Sequence, residues 1–193
     1  MPDSKVSLRG SCHCGATRFV IRLTVPHEPS TVLPAPRGVQ HIYRCNCTFC
    51  HKSGHMHVRP ADPAADFTLL SPLSLDELGD YRTGAGVLRF LFCRTCAVRC
   101  FIFAGDDGEE ITDVAVPGID EKIERAWRPK PNGGHPKMGH YISINAHTID
   151  AGQPQFDMRT LTEDNKVMYC DCYSPEEDEA PMRYGRPQEN GCY

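Results

Sequence analysis

Cysteine constrains this chain more than any other residue. Eleven occur in 193 residues, and seven of them fall into three tight groups. Cys12 and Cys14 form C-x-C, Cys45, Cys47 and Cys50 form C-x-C-x-x-C, and Cys93 and Cys96 form C-x-x-C. An odd total fits poorly with a closed set of disulfides. The first ten residues are polar and lack the apolar stretch of a secretory signal, so the expected location is cytoplasmic. In a reducing compartment, clustered cysteines serve as metal ligands or redox groups more often than as cross-links.

Zinc is tetrahedral, favours thiolate, and takes sulfur at about 2.3 Å, a distance that two cysteines on one tight turn can share. Two such turns from distant segments complete one tetrathiolate site. Seven thiolates therefore divide into four plus three: Cys12, Cys14, Cys93 and Cys96 as a closed zinc site, and Cys45, Cys47 and Cys50 as an open one. A closed site contributes to folding. A vacant corner is what a zinc ion needs to act as a Lewis acid. Spacing alone leaves two structural sites and a structural-plus-catalytic pair equally open. A thioredoxin-like role for Cys93 and Cys96 would require a helix after the motif, whereas VRCFIF reads as strand.

The rest of the sequence supplies a β scaffold. Phe19, Ile21 and Leu23 alternate with Arg18, Val20 and Arg22 at strand period within 16–24. Further strand-like segments lie at 41–44, 55–59, 67–70, 87–92, 98–103, 111–116 and 141–146. Pro26, Pro29, Pro34 and Pro36 make 25–39 loop or edge, and 128–140 is a loop by its proline and glycine. The best helical segment is 120–127, with Asp120 as N-cap. Sixteen Gly and sixteen Pro argue for short elements, and the expected class is mainly β with few short helices. Two regions are expected: a zinc domain over 1–173 and an acidic C-terminal tail over 174–193, mobile or laid on the surface. A net charge of -4 argues against a nucleic-acid partner, and no apolar run reaches the roughly 18 residues that span a membrane.

The segments Gly10-Ser11-Cys12-His13-Cys14-Gly15, Cys45-x-Cys47-Thr48-x-Cys50-x-Lys52-x-Gly54 and Phe92-Cys93-x-x-Cys96, in that order, resemble the glutathione-dependent formaldehyde-activating enzyme family, whose domain is shared with centromere protein V. The closing pieces at 114–120 and 142–150 are similar as well. The resemblance implies twisted β-sheets in a zinc-stabilised β-tent fold. It implies a structural zinc on Cys12, Cys14, Cys93 and Cys96 and a catalytic zinc on Cys45, Cys47 and Cys50. It also implies a carbon–sulfur lyase activity, the addition of glutathione to formaldehyde and its reversal. Two departures stand out. Ala97 occupies a position where the family commonly has glycine, and the loops 25–39 and 128–140 and the tail look longer than in a minimal member. Loops shape substrate choice. One alternative is therefore a zinc enzyme of the same fold acting on another small molecule without glutathione. The other is a non-catalytic zinc-stabilised binding module.

Several residues near these groups carry a second reading. His51, His55 and His57 follow the open site and can serve as proton shuttle or fourth ligand. The plainer reading is ordinary histidines on a partly exposed strand, with no carboxylate nearby to orient a ring. His13 is expected to face solvent. Arg44 and Lys52 can hold a substrate carboxylate or be solvated charge. Cys100 falls on an apolar pattern and is expected in the core, as is Trp127. Cys170 and Cys172 form another C-x-C, which with Cys192 could make a third metal site or a disulfide. The reading adopted is a surface or tail-anchoring pair.

Overall fold

The computed structural model describes residues 5–34, 36–104, 108–131, 133–136, 139–153, 155–173 and 181–193. It is mainly β, 44% strand against 13% helix, and its sheets are twisted. The N-terminal strands β1 (Lys5–Ser11) and β2 (Arg18–Thr24) pair antiparallel. β3 (His41–Cys45) and β4 (Met56–Arg59) flank a short helix α1 (Thr48–Ser53). A single turn α2 (Pro63–Asp66) leads into β5 (Phe67–Ser71). Then come β6 (Gly79–Arg82), β7 (Arg89–Phe92), β8 (Arg99–Ala104), β9 (Gly108–Val116), β10 (Ile119–Pro129) and β11 (Tyr141–Asn145). Helix α3 (Met158–Glu163) and strands β12 (Met168–Cys170) and β13 (Met182–Tyr184) complete the chain.

These strands form two sheets. One runs β1-β2-β5-β10-β9, and the other runs β13-β12-β3-β4-β11-β8-β7-β6. The sheets share one core because each strand alternates its faces. Phe19, Ile21 and Leu23 on β2 meet Phe67 and Leu69 on β5, and from the second sheet Ile42, Val58, Phe101 and Ile144. Phe19, Phe67 and Phe101 pack ring on ring at 5.1 to 6.5 Å. Trp127 lies edge-on to Phe103 at 5.6 Å, so it is a core residue, as expected. Cys100 is likewise fully buried. Gly10 is demanded by this packing, because a Cβ there would stand inside the Phe19 ring.

The alternation that fills the core also decides what the larger sheet presents outward. Ile42 and Val58 point in, so Tyr43 and His57, paired across β3 and β4, point out. The same parity turns Ile102, Tyr141 and Ser143 to that outer face. Every residue of this wall is therefore fixed by a neighbour that had to be apolar.

Two expectations change. Residues 120–127 are not a helix but part of β10, hydrogen-bonded to β9 and β5. Pro117-Gly118 turns the chain between β9 and β10, Gly118 at φ 77°, and long-range pairing outweighs the local helical pattern. In the segment read as tail, Met182–Tyr184 pairs with β12 as an edge strand of the large sheet. Residues 174–180 lie outside the described residues.

Candidate metal centres

The four-cysteine set is built from two turns. Cys12 follows β1, and its N–H donates to the Thr17 carbonyl at 3.0 Å while Gly15 N–H returns to the Cys12 carbonyl at 3.1 Å. Cys93 follows β7, with Cys93 N–H on the Val98 carbonyl and Ala97 N–H on the Cys93 carbonyl. Backbone N–H groups also aim at sulfur: Thr17 N at Cys12 Sγ, 3.2 Å, and Thr95 N at Cys93 Sγ, 3.4 Å. Cys12 Sγ and Cys14 Sγ stand 3.6 Å apart, as do Cys14 Sγ and Cys93 Sγ. A tetrahedral ion with bonds of about 2.3 Å spaces its donors by about 3.8 Å. The set can hold a metal ion, all four sulfurs lying within 4.8 Å of one another. The turn at Ala97 is left-handed, φ 59°, although the residue is not glycine.

The trio is assembled within six residues. Cys45 ends β3, Cys47 caps α1, and Cys50 lies in its first turn. Cys47 N–H reaches Cys45 Sγ and Cys50 N–H reaches Cys47 Sγ, both at 3.4 Å. Gly54, left-handed at φ 62°, ends the helix and sends the chain back into β4. The three sulfurs lie within 4.8 Å of one another and can also hold an ion. Hydrogen bonds from the Cys45 and Cys50 thiols hold Cys47 well below the usual thiol range. All of the trio are free of disulfide.

The trio lines a cavity of about 380 Å³ on the outer face of the large sheet. Tyr43, His57, Arg59, Phe90, Ile102 and Tyr141 line it. His57 is buried, not partly exposed as expected; its Nε2 lies 3.2 Å from Cys50 Sγ and its Nδ1 2.8 Å from Ser143 Oγ. Tyr43 stacks flat on the His57 ring at 4.2 Å. Burial, then the charges of His55, Arg59 and Arg44, keep His57 well below its ordinary range, so the ring is neutral at neutral pH. His55 is also buried and is pushed down to about 3 by burial. The Tyr43 and Tyr141 hydroxyls pair at 3.0 Å, and burial raises both above the ordinary phenol value. Arg59 lies over the Tyr141 ring at 4.4 Å.

The other sequence candidates fall elsewhere. Arg44 does not line this cavity, and Lys52 lines a neighbouring one with Phe49, Tyr81 and Arg99. His51 is exposed. His13 is exposed beside Cys12 in a separate cleft of about 830 Å³ against residues 146–153 and 156–159. Arg59, Tyr43 and Tyr141 were missed, although residues 57 and 59 share a face of any strand through 55–59. Of the pair expected on the surface or anchoring the tail, Cys172 is exposed and Cys170 is buried opposite Met182 of β13, and both line the trio's cavity. β12 pairs in parallel with β3, and that register sets Cys170 beside Cys45.

No family model matches the chain. It is similar to a crystal structure of a Rhodobacter sphaeroides protein at 18% identity and a TM-score of 0.41, over 76% of this chain and 92% of that one. That likeness is too remote for an argument about function. Among the described residues, no helix is long and apolar enough to cross a membrane.

Proposed function

We propose that this chain is a zinc-dependent enzyme of the carbon–sulfur lyase type, acting on a thiol–aldehyde adduct in the manner of the formaldehyde-activating family it resembles. The observation that carries the reading is the contrast in surroundings. Four thiols meet in one cluster, whereas three meet in the lining of a cavity large enough for a small molecule. In this reading Cys12, Cys14, Cys93 and Cys96 hold a structural zinc, and Cys45, Cys47 and Cys50 hold the catalytic one. Zinc at such a site supplies thiol deprotonation and carbonyl polarisation.

The chain's own residues divide the remaining work. Tyr43 and Tyr141 stay protonated through the neutral range, because burial opposes phenolate, and one hydroxyl can donate to the adduct oxygen. His57, fixed by Ser143, sets the hydrogen bonding of Cys50: with Nε2 protonated it donates to that sulfur, and with Nδ1 protonated it offers a lone pair. Arg59 provides a charge for a substrate carboxylate, its guanidinium carbon lying over the Tyr141 ring. Phe90 and Ile102 exclude water from the same wall.

One observation favours a second reading, with a small thiol or aldehyde other than glutathione. Arg59 is the lone Arg or Lys among the described residues lining the cavity, against the two carboxylates of glutathione. The test is adduct formation from formaldehyde and glutathione, measured above the spontaneous rate with Cys47→Ser as control. Acceleration by the wild type alone supports the first reading. Acceleration with smaller thiols but not glutathione selects the second. No acceleration with any thiol overturns both in favour of a binding module.

A further inference from the structure

The trio does not end at three sulfurs. Cys172 lies just beyond the end of β12 and lines the same cavity as the trio, with its Sγ 3.3 Å from Cys170 Sγ, and Cys170 is paired beside Cys45 across β3. The contact is built rather than incidental, because Asn46, the buried residue between two trio cysteines, clamps the segment. Cys172 N–H donates to Asn46 Oδ1 at 2.7 Å. Asn46 Nδ2 donates to Asp171 Oδ1 at 2.7 Å and to the Glu189 carbonyl at 2.9 Å, and Asn46 N–H donates to the Cys170 carbonyl at 3.3 Å. Moving Asn46 would move Cys45, Cys47 and Cys172 together.

Sulfurs this crowded can be thiolate together only with a cation among them, and all of these cysteines are free of disulfide. Cys170 is fixed within a strand and buried, whereas Cys172 is exposed beyond the strand end, in the trio's cavity, with its backbone held by the residue between Cys45 and Cys47. We propose that Cys172 is the fourth thiolate of the ion held by Cys45, Cys47 and Cys50, positioned by Asn46, and that a substrate thiol reaches the ion by displacing it. On ligation the Cys172 thiol releases its proton to solvent, and on displacement it takes one up again. The ligation rests on the trio being a metal site, and the displacement by a substrate thiol rests in addition on the function proposed above.

Cadmium-113 NMR of the full chain loaded with that ion tests it, because the shift counts sulfur donors. The expected wild-type spectrum has two resonances, both in the four-thiolate range. In Cys172→Ser one of them moves upfield and the other stays. As a check free of substitution, alkylation of Cys172 by iodoacetamide, followed by mass spectrometry, is expected to be about tenfold slower in the loaded wild type than after chelation. A wild-type resonance already outside the four-thiolate range and unmoved by Cys172→Ser overturns the proposal. So does a resonance that moves in Cys170→Ser or His57→Gln but not in Cys172→Ser. A wild type that binds one ion with a single resonance overturns the metal reading of the trio as well.

Discussion

The two cysteine sets use the same turn chemistry for opposite ends. The four-cysteine set joins Cys12, which follows a strand of the five-stranded sheet, to Cys93 and Cys96, which stand between two strands of the other sheet. Its closest contact between the two turns, Cys14 to Cys93, spans 79 positions of sequence. An ion there closes a long loop and ties the sheets together. The trio itself is closed within six residues on one sheet, and the one distant residue proposed to join it, Cys172, is already clamped beside it by Asn46. Equal ligand chemistry would thus give an ion in one set leverage over the fold and an ion in the other access to a cavity.

The sharpest way to break that contrast is Cys93→Ser. Structural zinc sites carry folding energy outright, so this variant is expected to lose about 5 kcal/mol or more, read as a collapse of the urea midpoint by circular dichroism. If it unfolds no earlier than the wild type, the leverage assigned to the four-cysteine set is wrong. Cys47→Ser should do the reverse. Bound metal should fall from two ions to one per chain by mass spectrometry, with stability kept within about 1 kcal/mol. Undiminished occupancy would erase the distinction between the sets.

Smaller effects sharpen it. Asn46→Ala deletes a buried amide that holds three hydrogen-bond partners, a loss of about 2 kcal/mol. Its signature is local: amide exchange should speed up over 181–193 and at Cys172 while the turns at Cys12 and Cys93 keep their protection. Ala97→Gly should stabilise slightly. Relief of a left-handed alanine gains about 1 kcal/mol, partly offset by the greater chain entropy of glycine. A measured loss in the urea midpoint would mean that the Ala97 methyl earns its place by packing.

The grouping of seven cysteines into four and three was legible because sulfur spacing on a tight turn is a local property. Strands with strict alternation, such as 18–24 and 41–44, were legible for the same reason. The segment 120–127 misled because a short run carries too little periodicity to tell helix from strand. The nearby Pro117-Gly118 was the better signal, since a turn there makes a hairpin of its flanks. Arg44 and Lys52 were chosen by closeness in sequence, whereas pleating gives the cavity wall to Arg59, two residues on from His57.

By itself the sequence determined a mainly β chain and its two thiol clusters, because alternation and turn spacing act between near neighbours. Only the tertiary structure decided that Cys170 and Cys172 belong with the trio. A parallel pairing of β12 with β3 brings together residues 125 positions apart, and its register is set by which faces of both strands the shared core must bury.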